Sequence, residues 1–220
     1  MVTKEQRRSI VDALLALLEE RGWEEIGLDD VARQAGISLA DLRAGFDGKM
    51  AILEAFVREI DAEVLAEDVS DMADEPPRER LFDVLMRRLD ALVPHKAALR
   101  GLAASARRDP TLAAGLNKIA FVSQRWMLTA AGIRIEGLLG AAATEGLVVA
   151  FARVMRVFLT EDDPGMPRTM AALDKELRRS EQIFVRLERA TRLFRRPPRR
   201  PMRRPDREAP EESDPPAAPV

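Results

Sequence analysis

Five cations stand close to two short, turn-linked stretches near the N-terminus: Lys4 and Arg7, then Arg33, Arg43 and Lys49. Cations in such positions can neutralise phosphates, the interaction that supplies most nucleic-acid affinity. Ser38 precedes the stretch that holds Arg43, and as a helix cap its hydroxyl and the backbone N–H groups beside it could also hold a phosphate. Leu39, Ala40 and Arg43 are left to meet base edges, which is a poor set for direct readout. Asp41 would repel a phosphate backbone unless it faces a cytosine amino group. Catalytic chemistry has far less to work with. Cysteine is absent, which excludes thiolate chemistry, and the single His95 leaves no basis for a histidine metal cluster or a Ser-His-Asp triad. Asp162 and Asp163 precede Pro164-Gly165, where aspartate serves turns and caps. The expectation is a protein that binds, with no catalytic residues, no metal and no cofactor.

The elements that must position these cations read as helices. Val31, Ala32 and Ala35 share a face, Gly36 supplies a turn, and Ile37 re-enters the core. Ser38 then caps a segment running to Phe46, with Leu42 and Phe46 inward. A short helix, a glycine turn and a capped second helix form a helix-turn-helix, which presents its second helix to a DNA major groove. A helix from Thr3 to Arg21 precedes it, with Ile10, Leu14, Leu17 and Leu18 on one face. Another follows from Lys49 to about Ala66, with Ile52, Phe56, Ile60 and Val64 at helical spacing.

The acidic stretch Glu67 to Glu75, closed by Pro76-Pro77, marks a subdomain boundary. A helix from Arg78 to Leu92 is broken or kinked by Pro94, and His95 beside it is expected on the surface or as a cap. Asp109-Pro110 opens a helix through Trp126 toward Ala131, ended by Gly132. The stretch from about Leu138 to Leu159 is apolar nearly all round, which places it centrally or at a dimer interface. Within it, the apolar stretches from Leu138 to Ala152 are expected to be too short and too interrupted to cross a bilayer. A last helix starts near Pro167. About nine helices result, and the chain is expected to divide into a helix-turn-helix module (1–48), a helical bundle (49–195) and a disordered Arg/Pro/Glu-rich tail (196–220).

Charge is distributed against the DNA reading. Met1 to Glu63 carries eight basic residues and fourteen acidic ones, while Arg178 to Arg204 carries eleven arginines and two glutamates. In that basic stretch Ile183, Leu187 and Phe194 share an apolar face, with Phe184 beside them and Arg186, Arg189 and Arg192 around the other sides. Such a helix can lie on an anionic membrane surface, or it can dock within a bundle. Phe82, Leu85, Trp126, Met127, Phe151, Met155 and Phe158 could line a cavity, and a ligand among them would be largely apolar.

The N-terminal pattern resembles the TetR family of helix-turn-helix regulators. It has a helix ending Glu20-Arg-Gly-Trp23, then Val31-Ala with Ala35-Gly-Ile-Ser38, and then Phe46-Asp-Gly-Lys49 before an apolar helix. The resemblance covers roughly residues 5–55. It implies an all-α, TetR-like homodimer with a DNA-binding N-terminus and a C-terminal bundle that binds a small-molecule effector, in the cytoplasm. Two departures are Gly27, where the family has a capping Thr or Ser, and Arg43, where it has a backbone-touching Tyr. The C-terminal half is faintly similar to the TetR-fold lipid-binding accessory proteins of ubiquinone biosynthesis, through Trp126, Ala131-Gly132, Leu159, Asp162-Asp163-Pro164 and Thr169 to Asp174. That second resemblance implies lipid binding without DNA, at a membrane.

Overall fold

Thr3 starts the first helix by a reciprocal cap: its hydroxyl accepts from the Gln6 N–H, and the Gln6 side chain accepts from the Thr3 N–H. In this computed structural model the described residues are 3–67, 72 and 74–194, with side chains described through Glu181. They are helical, and none lies in a strand. The helices are α1 (Lys4–Glu20), α2 (Leu28–Ala35), α3 (Leu39–Gly45), α4 (Lys49–Ala66), α5 (Pro77–Leu92), α6 (Lys96–Ala106), α7 (Pro110–Ala130), α8 (Gly137–Phe158) and α9 (Pro167–Phe194).

The starts and stops follow local chemistry. Gly36 ends α2 at φ 67°, a left-handed conformation that L side chains adopt at a cost, and the Ile37 N–H reaches back to the Ala32 carbonyl at 3.0 Å. Asp109 caps α7 by accepting from the N–H groups of Thr111 and Leu112. Pro110 follows as first helical residue, where its missing N–H costs nothing.

Helix α6 is the element the sequence does not announce. Pro94 does break α5, through a single 3-10 turn at Val93–His95, but the chain then resumes as a helix. His95 is the N-cap residue of α6, though without a side-chain cap hydrogen bond, and it is half-buried, its ring meeting Phe56 edge-on with centroids 4.9 Å apart. Helix α6 packs on α1, and at Gly101 the two are so close that a Cβ would sit 2.1 Å from the Leu18 carbonyl oxygen. The Trp23 N–H donates to Ser105 Oγ at 3.0 Å across the same junction.

One apolar cluster therefore runs from Ile10 and Leu14 in α1, through Ile52 and Phe56 in α4, to Phe158 in α8 and Leu173 in α9. Helix α8 is continuous over 22 residues and is long and apolar enough to cross a membrane by length and composition alone, contrary to the expectation of an interrupted run. It packs on α7 and α9, yet Leu138 and Val149 remain exposed. Between α8 and α9, the buried Glu161 carboxylate accepts from the N–H groups of Arg168 and Thr169 and from the Thr169 hydroxyl. Burial alone would raise its pKa, but these hydrogen bonds hold it below the usual range. The side chains of Ile183, Phe184, Arg186, Leu187, Arg189, Arg192 and Phe194 lie outside the described residues, as does the 196–220 segment.

Candidate nucleic-acid interface and ligand cavity

Helix α3 shows solvent one continuous face: Leu39, Ala40, Asp41, Arg43 and Ala44 are exposed, while Leu42 and the flanking Phe46 are buried. Ser38 caps this helix by accepting from the Asp41 N–H at 3.1 Å, and its own hydroxyl donates to the Asp41 carboxylate at 2.6 Å. Asp41 is thereby folded back onto the helix start, and the Ser38 hydroxyl already holds a carboxylate. Arg43 projects outward and pairs with Asp47 at 2.5 Å, both side chains being mostly exposed. Exposed pairs of this kind are weak, so a phosphate could displace Asp47.

The other cations divide by what they touch. Lys4 is exposed at the start of α1. Arg33 lies on the open face of α2, paired with Asp29 at 3.3 Å and Asp30 at 3.0 Å. Asp30 also accepts from the Gly27 N–H, which replaces the missing side-chain cap; that hydrogen bond, helped by Arg21 and Arg33, holds its carboxyl below the usual range. Arg7 instead braces the module: it donates to the Gly45 carbonyl at 2.8 Å and lies 4.3 Å above the Phe46 ring.

Lys49 corrects the sequence expectation most clearly. Its ammonium turns inward, donates to the Trp23 and Ile26 carbonyls at 2.6 Å each, and sits 4.4 Å over the Trp23 ring. Burial pushes its pKa down, opposed by the Glu24 carboxylate. It ties the first residue of α4 to the loop between α1 and α2, so its ammonium is engaged with backbone carbonyls and not held out to solvent.

A cavity of about 1210 Å³ opens between α4, α5, α6, α7 and α8. Leu53, Phe56, Leu99, Phe151 and Met155 give it an apolar wall. Of the seven side chains expected there, Phe151 and Met155 line it. Leu85, Met127 and Phe158 are fully buried in the core, Phe82 is half-buried against that core, and Trp126 is 53% exposed on the outside of α7. Aromatic and methionine side chains at helical spacing mark a buried face, and spacing does not separate a packed face from one that borders a void.

Two buried polar residues of the cavity lining escaped the sequence reading, Arg88 and Gln124. Arg88 is buried and donates through Nη1 to Asp61, which also accepts from Ser123 Oγ at 2.7 Å. The available signal is Asp61 itself, a carboxylate standing at helical spacing between Val57 and Val64 on the inward side of α4. Among the described residues, no group of three or more His, Cys, Asp or Glu side chains could hold a metal ion.

Comparison with known proteins agrees with the geometry at two levels. The family model described as bacterial regulatory proteins, tetR family, matches residues 10–56. No curated protein sequence matches the chain. Among solved structures, a TetR transcriptional regulator from Nitrosomonas europaea is similar at TM-score 0.63 and 20% identity, covering 81% of this chain and 99% of that one. A TetR regulator from Rhodococcus sp. RHA1 is similar at TM-score 0.54 and 19% identity, covering 80% and 96%. The family model covers the helix-turn-helix region, and the two solved structures share the fold of the described residues.

Proposed function

Residues 10–56 being a TetR-family regulatory domain set on a TetR-regulator fold, we propose that the chain is a cytoplasmic, homodimeric transcriptional regulator whose DNA binding responds to a small, largely apolar molecule. The observation that carries this reading is that α4 belongs to both sites. Its first residue, Lys49, grips the Trp23 and Ile26 carbonyls beneath the helix-turn-helix, and its Leu53, Phe56 and Val57 border the cavity. A ligand that prefers one position of α4 shifts the helix-turn-helix with it, by as much as its affinities for the two positions differ.

Phosphate contacts fall to Lys4, Arg33 and Arg43, and base contacts to Leu39, Ala40, Ala44 and Arg43. Apolar side chains meet thymine methyl groups and arginine meets guanine, so sites rich in thymine with one guanine suit this face. Two copies are needed to read two half-sites one helical turn apart. The exposed apolar side chains Leu138 and Val149 on α8, with Val122 and Trp126 on α7, offer the second copy a surface. The reading assigns the chain no catalytic role.

The test is selection of genomic DNA fragments by the purified chain at two salt concentrations, for wild type and Arg43→Ala. Specific retention that falls with salt, and a loss of about 1–3 kcal/mol in Arg43→Ala, is the expected result. Absence of any salt-sensitive retention by the wild type would overturn the reading.

A further inference from the structure

Polar side chains border the cavity at its exposed edge, Arg100, Arg107, Asn117, Arg156, Thr160 and Asp162, whereas in its buried, mostly apolar part they are Arg88 of α5 and Gln124 of α7. Both are more than nine-tenths buried, at 6% and 1% exposure. Arg88 Nε, a donor, and Gln124 Oε1, an acceptor, have no hydrogen-bond partner among the described residues. Buried polar atoms are nearly always paired, so an orphaned donor and an orphaned acceptor bordering one cavity mark where a ligand's polar group belongs. The charge of that group follows from what lies behind Arg88. Its guanidinium is already neutralised by Asp61, which Ser123 also holds in place. A carboxylate or phosphate arriving there would bring a second anion near Asp61 and set its lone pairs against Gln124 Oε1. A hydroxyl accepts from Arg88 and donates to Gln124 without adding charge.

We infer that this pair reads an uncharged group that both donates and accepts, of which a phenol or alcohol hydroxyl is the simplest, at one end of an otherwise apolar effector. The inference rests on the cavity being the effector site proposed above. Arg88 stays rigid for this role through its ion pair with Asp61 and its position 5.8 Å from the Phe151 ring centroid.

The experiment uses three probes with one apolar body: 4-pentylphenol, pentylbenzene and 4-pentylbenzoate. Their Kd values for the full chain are measured by equilibrium dialysis, for wild type, Gln124→Met and Arg88→Lys. Gln124→Met keeps the volume and removes the acceptor; Arg88→Lys keeps the charge facing Asp61 and removes the Nε donor. The wild type is expected to bind the phenol about tenfold tighter than pentylbenzene, and tighter than the benzoate. Each variant is expected to lose most of that preference while holding pentylbenzene unchanged. Equal binding of the phenol and pentylbenzene overturns the polar pair and leaves the apolar effector site standing. Tightest binding by the benzoate overturns the uncharged group and assigns the cavity an anionic ligand, held by Arg88 or by the edge arginines Arg100, Arg107 and Arg156. Binding of none of the three overturns the effector site and this inference together.

Discussion

Arg43 is the one outward-pointing cation on α3, and its ion pair with Asp47 decides how freely it meets DNA. The pair is exposed, with side chains at 73% and 87% of full accessibility, so it is worth little in water. Its larger effect is on charge: Asp47 cancels Arg43 at the surface that faces phosphates. Asp47→Ala should therefore tighten non-specific DNA binding by about twofold to fivefold at low salt, an effect that shrinks as salt screens it. Fluorescence anisotropy with a random-sequence duplex at two ionic strengths measures this. An unchanged affinity would mean that Arg43 does not approach the backbone. Asp41 differs in kind, because its carboxylate is tied to the Ser38 hydroxyl and its N–H completes the cap of α3.

Among elements, the decisive contact is α1 on α6. Helix α1 carries the helix-turn-helix on one side, through α2, and meets the bundle on the other. Gly101 permits the approach, since any Cβ there would strike the Leu18 carbonyl, and a backbone atom cannot swing aside as a side chain can. Gly101→Ala should cost about 1–3 kcal/mol of stability, the usual penalty of overpacking, despite alanine's better helix propensity. Urea unfolding measures it. A stabilised variant would show that the two helices are free to separate. The Trp23 N–H to Ser105 Oγ bond and the Lys49 clamp tie the chain between α1 and α2 to both α6 and α4.

At the scale of the whole molecule, the ionised Glu161 carboxylate helps hold two long helices together. Glu161 follows α8 and grips the first turn of α9 through three hydrogen bonds. Its folded pKa lies below the ordinary 4.5. Its contribution to stability is therefore fully present above the unfolded value and is lost as pH falls through the lowered folded value. The difference in Tm between wild type and Glu161→Gln should be widest near neutral pH and narrow once the pH drops below about 4.5. A gap that stays constant on acidification would assign Glu161 a packing role only.

What the sequence determined by itself is the set of local structures, because local rules write them into neighbouring residues. The Thr3, Ser38 and Asp109 caps, the left-handed Gly36 and the apolar stripe of α1 are all legible within one or two turns of chain. The same holds for the TetR-like N-terminal pattern and for the all-α class. Helix α6 was not legible, because Pro94 signals a break and a single 3-10 turn was enough to resume the helix. The candidate site divides along the same line. Arg33 and Arg43 could be placed on an open face from periodicity, whereas the inward turn of Lys49 depends on Trp23 and Ile26 carbonyls 26 and 23 residues away. The cavity depends on five helices at once, so helical spacing marked Phe151 and Met155 together with Leu85, Met127 and Phe158, which only pack. Arg88 is not singled out by the sequence, because its partner Asp61 lies 27 residues away on another helix. Caps and stripes arise from interactions between near neighbours; voids, buried ion pairs and inward-turned cations arise where distant helices meet, and only the tertiary structure decides them.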